Sequence, residues 1–324
     1  DLSKRHRLSR DAIKKRIDKL KREEVIVGAI PIINMPIFGY GSHKVFIDLL
    51  NCPEDIENQI FDDLTKHQSI FWILKTSGNY DIMIAIAARN NLEIDKILWE
   101  IRNKYNVYIK EIIVLSALED LNYSHLPKAF IKGIKTSPIS YRKDDSSFGK
   151  LLSKHVKELY HDKLQKIDFY DLKILEILSQ DTRIEIKELS KNLKLSPETV
   201  KNRIKKMIEN GILQGFSALI SLSKIGYSWN ILFIKLKIKN PEIIKKWKLF
   251  VKEGLYFPWV QLITGKWDLY LHIYCSGIVQ LHEIIEDIKN RLGDTIQDYE
   301  TLLIFKEIKV THFCKSYYDC LEEK

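Results

Sequence analysis

The sequence predicts an α+β fold in which one unit, a helix-turn-helix followed by a βαββαβ domain, is written twice. Three observations carry that reading. The chain matches itself at an offset of 187 residues; helical spacing followed by strand-like runs recurs in the same order in both matched parts; and 45% of the 324 residues are hydrophobic, enough to build cores and to exclude disorder of the whole chain. In this register Leu8-Ser9 falls on Leu195-Ser196, Arg16-Ile17 on Arg203-Ile204, Gly28 on Gly215 and Gly39-Tyr40 on Gly226-Tyr227. Further along, Phe46-Ile47 meets Phe233-Ile234, Trp72 meets Trp259, Gly78 meets Gly265 and Asp81 meets Asp268.

The second copy opens with Leu172, Ile174, Leu175 and Leu178 at helical spacing, and a second short helix is expected over 186–193. Ser196-Pro197 then reads as an N-cap followed by proline at the first helical position, starting a helix that runs to about Glu209, where Gly211 stops it. Three helices with so short a turn form a helix-turn-helix pattern. The first copy aligns only from within the second of these helices, since Asp1 falls opposite Glu188, so a counterpart of Ile167 to Lys187 is expected upstream.

Behind the first helix-turn-helix, strands are expected near 42–50, 69–76, 80–88 and 108–118, with helices near 54–66 and 91–104. β-Branched and aromatic runs such as Val45-Phe46-Ile47 and Ile82 to Ile86 support them. The second copy repeats the order near 229–238, 258–264, 267–275 and 295–306, with helices near 242–253 and 278–292. Between the copies, Pro127, Pro138 and the polar run Asp144-Asp145-Ser146-Ser147 mark a linker, with an amphipathic helix near 148–165.

Charge is distributed unevenly along this plan. The 52 Lys and Arg against 43 Asp and Glu leave a net +9, which points to an anionic partner. Residues 1–24 carry +5, 29–127 carry −5, the linker 128–165 carries +5, and 166–213 and 214–324 carry +2 each. Within 190–206, six basic residues face Glu198 alone, so the positive charge sits on helices able to enter a DNA groove. With Val200, Ile204, Met207 and Ile208 inward, the outward set is Glu198, Thr199, Asn202, Lys205 and Lys206, with Arg203 on the flank; Ser196 at the cap and Lys201 complete the candidate DNA contacts. Asn and Arg pair bidentately with base edges, whereas Lys and Ser hold phosphate. The first copy offers Ser9, Arg10, Lys14, Lys15, Arg16 and Lys19 over an inward face of Ile13, Ile17 and Leu20.

These residues resemble the Lrp/AsnC (feast/famine) family of prokaryotic and archaeal transcription regulators. The matching segments are Asp171-Leu172-Lys173-Ile174-Leu175, Thr182-Arg183, Leu195 to Val200, Arg203-Ile204 and Gly211 to Phe216, followed by a Gly-x-aromatic-Asp element at Gly78-Asn79-Tyr80-Asp81 and Gly265-Lys266-Trp267-Asp268. The resemblance implies a winged helix-turn-helix that reads double-stranded DNA and a ferredoxin-like domain of RAM/AsnC type that binds small effectors, often amino acids, and dimerises. It divides the chain into a truncated helix-turn-helix at 1–28, a ligand-binding and dimerisation domain at 29–120, the linker at 121–165, a winged helix-turn-helix at 166–216 and a second βαββαβ domain at 217–324. Family members usually carry one unit, so two units in one chain imply an intramolecular pseudo-dimer able to pair further with other copies. The Gly-x-aromatic-Asp turn has two readings. It is a structural turn with a core aromatic and an Asp capping backbone amides, or an effector site in which Asp81 or Asp268 receives an amino group.

An enzyme of the same architecture, a siroheme decarboxylase, is the alternative implied by resemblance. It would need His and Arg in the βαββαβ domains to grip a many-carboxylate tetrapyrrole, and here His43, His67, His125, Arg89 and Arg102 in the first, and His272, His282, His312 and Arg291 in the second, share no motif. The sequence holds no phosphate loop, HExxH or GxSxG pattern, so no catalytic residue and no cofactor is assigned. Cys52, Cys275, Cys314 and Cys320 lack CxxC spacing, which speaks for a reducing, cytoplasmic setting, and His312 with Cys314 and Cys320 is not read as a metal site. No apolar run approaches the roughly 18 residues of a membrane helix, so no membrane partner is expected.

Overall fold

The computed structural model describes residues 7–123, 127–128, 167–311 and 313–321, and the expected linker helix near 148–165 lies outside them. The described residues form two compact units that do not follow the repeat boundaries. The first takes its residues from 7–38, 167–226 and 317–321; the second from 39–123, 127–128, 227–311 and 313–316.

In the first unit, helix α1 (Arg10–Arg22) leads into strand β1 (Ile26–Ile33), both from the first repeat. The second repeat supplies α4 (Phe169–Gln180), α5 (Ile186–Leu193), α6 (Pro197–Glu209) and strand β6 (Leu213–Ile220). Leu172, Leu175, Leu189, Val200, Ile204 and Met207 are buried between the three helices, as their spacing predicts. β1 and β6 occupy equivalent places in the two repeats and pair antiparallel with each other, from Ile26 opposite Ile220 to Ile33 opposite Leu213. This ribbon carries the boundary between units to Gly39 and Tyr227, beyond the 28/29 and 216/217 divisions expected from sequence, because each strand finds its hydrogen bonds in the other repeat.

The second unit is a closed barrel. The first repeat gives β2 (Gly41–Leu49), α2 (Glu54–Lys66), β3 (Ile70–Ser77), β4 (Ile82–Ala88), α3 (Asn91–Tyr105) and β5 (Ile109–Tyr123). The second gives β7 (Ser228–Leu236), α7 (Pro241–Glu253), β8 (Trp259–Thr264), β9 (Leu269–Cys275), α8 (Ile278–Leu292) and β10 (Ile296–Val310). Around the barrel the order is β10-β3-β4-β2-β5-β8-β9-β7, so each repeat forms one four-stranded antiparallel sheet with its first strand central, the ferredoxin-like order. The last strand of each repeat pairs with the second strand of the other, β5 with β8 and β10 with β3, which leaves no open sheet edge.

Strand alternation decides what faces where. Val45, Ile47, Ile82, Ile84 and Ile86 face α2 and α3 in one core, and Leu232, Ile234, Leu269, Leu271 and Ile273 pack with Trp247 and Ile284 of α7 and α8 in the other. The alternate residues, among them Phe46, Phe233, Tyr270 and Trp72, are also buried and belong to the opposite, lumenal face. Where the second repeat places Trp229, Tyr270, His272 and Tyr274, the first has Ser42, Met83, Ala85 and Ala87, so large lumenal residues of one repeat are matched by small ones of the other.

Candidate nucleic-acid interface

Local sequence positions α6 closely. Ser196 is its N-cap, its Oγ accepting from the Thr199 amide at 3.1 Å, and Pro197 occupies the first turn. The turn between α5 and α6 is closed by Lys194 in the left-handed region at φ 54°, a conformation that costs a residue with a β-carbon about 1–2 kcal/mol. Thr199, Lys201, Asn202, Lys205 and Lys206 are exposed on one side of α6 while Val200, Ile204 and Met207 anchor the other. Three cations and one amide on an exposed helix face, with the buried face fixing its orientation, make a surface suited to a phosphate-lined groove.

Arg203 is placed differently from the sequence expectation. Its guanidinium turns back onto the start of α4, donating to Asp168 Oδ2 at 2.7 Å and Asp171 Oδ1 at 2.8 Å, and lies over the Tyr170 ring at 5.5 Å. Asp168 and Asp171 are at the same time a reciprocal capping box for α4. Burial, the largest single influence, works to raise the Asp168 pKa, but the hydrogen bond and charge of Arg203 together with the backbone amides of Asp171 and Tyr170 outweigh it and hold the carboxyl below the usual carboxylate range. The side chain that pattern reading put against a base is committed to joining α4 and α6, a partnership 32–35 residues away that spacing on one helix cannot disclose.

In the first repeat Ser9 caps α1 through the Ala12 amide at 3.1 Å, and Arg10, Lys14, Lys15, Arg16 and Lys19 are exposed. Lys19 pairs with Glu23 at 3.7 Å, and Lys15, Arg16, Lys19 and Arg22 line one shallow groove with Asp18. Ile13 and Ile17, the counterparts of buried Val200 and Ile204, are only half-buried.

The Gly-x-aromatic-Asp turns lie in the barrel, between β3 and β4 and between β8 and β9. Asp81 Oδ2 accepts from the Leu49 amide at 2.7 Å, and Asp268 Oδ2 from the equivalent Leu236 amide at 3.0 Å. Tyr80 and Trp267 are buried against Phe46 and Phe233, whose rings meet edge to face at 5.1 Å. Gly265, at φ +128°, has the space of its missing β-carbon 2.5 Å from the Val114 carbonyl oxygen; Gly78, at φ +139°, faces the matching strand of the other repeat at 3.0 Å from Leu302. Lys266 Nζ donates to Tyr80 OH of the other repeat at 2.9 Å and lies 3.9 Å from Glu300 of its own; with the two glycine contacts, each turn seats on the other repeat. Each motif residue thus has a packing or capping task, with Asn79 and Lys266 left at the exposed rim.

A helix-turn-helix carrying an exposed basic helix, in a chain whose ferredoxin-like sheets close a barrel between repeats, defines a winged-helix protein with a paired ferredoxin-like domain. A description of winged helix-turn-helix DNA-binding domains matches residues 168–214. The regulatory protein AsnC of Haemophilus influenzae is 33% identical over 157 residues, covering 45% of this chain and 99% of that protein. The HTH-type transcriptional regulator FL11 of Pyrococcus furiosus is 28% identical over 149 residues, covering 45% of this chain and 93% of its own length. The chain therefore belongs to the Lrp/AsnC family of transcription regulators. The solved siroheme decarboxylase NirDL superposes over 99% of this chain and 91% of its own with a TM-score of 0.59 and 11% identity, a likeness of fold.

Proposed function

We propose that this chain is a cytoplasmic, sequence-specific regulator of transcription that binds double-stranded DNA as an intramolecular pseudo-dimer. The exposed set on α6, Thr199, Lys201, Asn202, Lys205 and Lys206, held by a buried opposite face, carries the reading. Asn202 is the candidate for base contact and the three lysines for phosphate, while Arg203 acts by bracing α6 against α4. The helices of the two repeats begin differently, Ser9-Arg10-Asp11-Ala12 against Ser196-Pro197-Glu198-Thr199, so the operator is asymmetric. An amino-acid-like effector would act at the rim of the turns, through Asn79 and Lys266, because Asp81 and Asp268 are engaged by backbone amides. Further homo-oligomerisation would use the outer surface of the barrel, since the basic helices are reserved for DNA.

Footprinting with Asn202→Ala tests this. The expected result is a loss of specificity at one half-site with unchanged melting temperature; a palindromic footprint, or affinity untouched by the substitution, contradicts it. The decarboxylase reading asks for histidines gathered on a tetrapyrrole. Instead, Ser116 Oγ lies 2.8 Å from His43 Nδ1, His67 Nδ1 accepts from the Ser69 amide at 3.1 Å, and His272 Nδ1 accepts from Trp229 at 2.8 Å. A Soret band on purification would restore that reading.

A further inference from the structure

The two halves of the barrel lumen touch through like residues and fill one another through unlike ones. Phe46 meets its counterpart Phe233 at 5.1 Å, and Trp72 meets Trp259 at 5.6 Å. Around these contacts the large side chains come from one repeat. Trp229 and His272 stack on Trp72 at 5.7 and 5.8 Å, while their counterparts Ser42 and Ala85 carry no ring. Ala85 lies opposite Trp72 in the ladder between β3 and β4, so a ring at 85 would compete with His272 for the same neighbour.

Charge is divided in the same way. Lys44, fully buried on β2 of the first repeat, has Ile231 as its counterpart. Among the described residues its Nζ has no hydrogen-bond partner; it lies 5.1 Å from the Trp259 centroid and 5.2 Å from that of Tyr270, both rings of the second repeat. Asp120 supports its charge, and that carboxylate is held by Trp259 Nε1 and Gln261 Nε2 of the second repeat, each at 2.8 Å. At the places of Trp259, Tyr270 and Gln261 the first repeat has Trp72, Met83 and Leu74. A first repeat closed against a copy of itself would therefore lose one ring and one hydrogen bond around each lysine. It would also enclose two ammonium groups in a low-dielectric space and leave a cavity beside Ala85 and Ala87. A second repeat closed against itself would have to hold Trp229, Tyr270, His272 and Tyr274 twice over, which is overpacking.

We propose that the lumenal face of each repeat is an interaction surface selective for the other repeat, Lys44 and the small residues of the first excluding a second copy of itself and the rings of the second doing the same. The barrel then closes only between unlike repeats, and one α1 is always presented together with one α6, as an asymmetric DNA site requires. The inference deepens the pseudo-dimer reading and rests on the barrel alone. Failure to bind DNA would sink the regulator reading and leave this one standing.

Two exchange cycles in the full chain, read as urea midpoints by circular dichroism, test it. Ile231→Lys puts a second lysine into the lumen and should lower the midpoint by about 1 M or more. Made together with Lys44→Ile, it leaves a single ammonium, now beside Trp72 with Glu307 in the place of Asp120, and the shift should fall to less than about half. Ile231→Lys unfolding the chain outright while the exchange restores it is the same result at larger amplitude. In the second cycle Ala85→His and His272→Ala should each lower the midpoint, the first by crowding and the second by leaving a cavity, and the exchange of the two should lose less than about half of the summed shifts. A merely structural core position would give additive shifts. Additivity in either cycle would overturn the proposal.

Discussion

Replacing Gly265 with alanine separates the structural from the ligand-binding reading of its turn. The added β-carbon would stand 2.5 Å from the Val114 carbonyl oxygen, a backbone atom of a paired strand, and 2.9 Å from Leu115 Cδ2. Overpacking of this kind costs about 1–3 kcal/mol, and the positive φ adds about 1–2 kcal/mol for a residue with a β-carbon, so the loss should be about 2–5 kcal/mol. Gly78→Ala meets a flexible Leu302 methyl at 3.0 Å and the Thr301 oxygen only at 3.4 Å, which leaves the conformational term dominant. Gly211→Ala, at φ +70° with nothing within 4 Å, measures that term alone. Urea unfolding followed by circular dichroism should rank Gly265→Ala well below the other two. A Gly265 variant within about 0.5 kcal/mol of the Gly211 variant would refute the argument that the turn is a seat between repeats.

Three further outcomes follow from the same geometry. Burial lowers the Lys44 pKa from 10.5 to about 8, so between those values the unfolded chain holds a proton that the folded chain lacks, and stability rises with pH across that window. Below pH 8 the penalty is complete at about 3 kcal/mol, so Lys44→Met should raise the urea midpoint at pH 7 and flatten the alkaline rise; a lower midpoint at pH 7 would contradict it. Arg203→Ala should cost about 1–3 kcal/mol through the loss of Asp168 and Asp171, and a double-mutant cycle with Asp171→Asn should show coupling, whereas additive effects would mean the pair contributes nothing. Changing Lys201, Lys205 and Lys206 to alanine should lower the salt slope of DNA binding by about 0.9 for each phosphate contact removed; an unchanged slope would remove these residues from the interface.

The order of elements was legible because repeats, caps and periodicity are local signals: Ser196-Pro197 starts α6, and the βαββαβ order recurs in both copies. What escaped depends on the other repeat. The strands 26–33 and 213–220 carry no hairpin signal, since each pairs with a partner in the distant copy. Lys44 reads as the solvent side of an alternating strand, and it is buried because a second sheet closes over it; its counterpart Ile231 was the one clue in the sequence. Arg203 reads as a base contact until Asp168 and Asp171 are brought beside it.

Selection of fragments from random DNA by the full chain measures whether it reads sequence. A single asymmetric site should be enriched, and its affinity should fall when Asn202 is changed to alanine. No enriched sequence, or one bound equally well without the exposed residues of α6, would contradict sequence-specific binding through that helix.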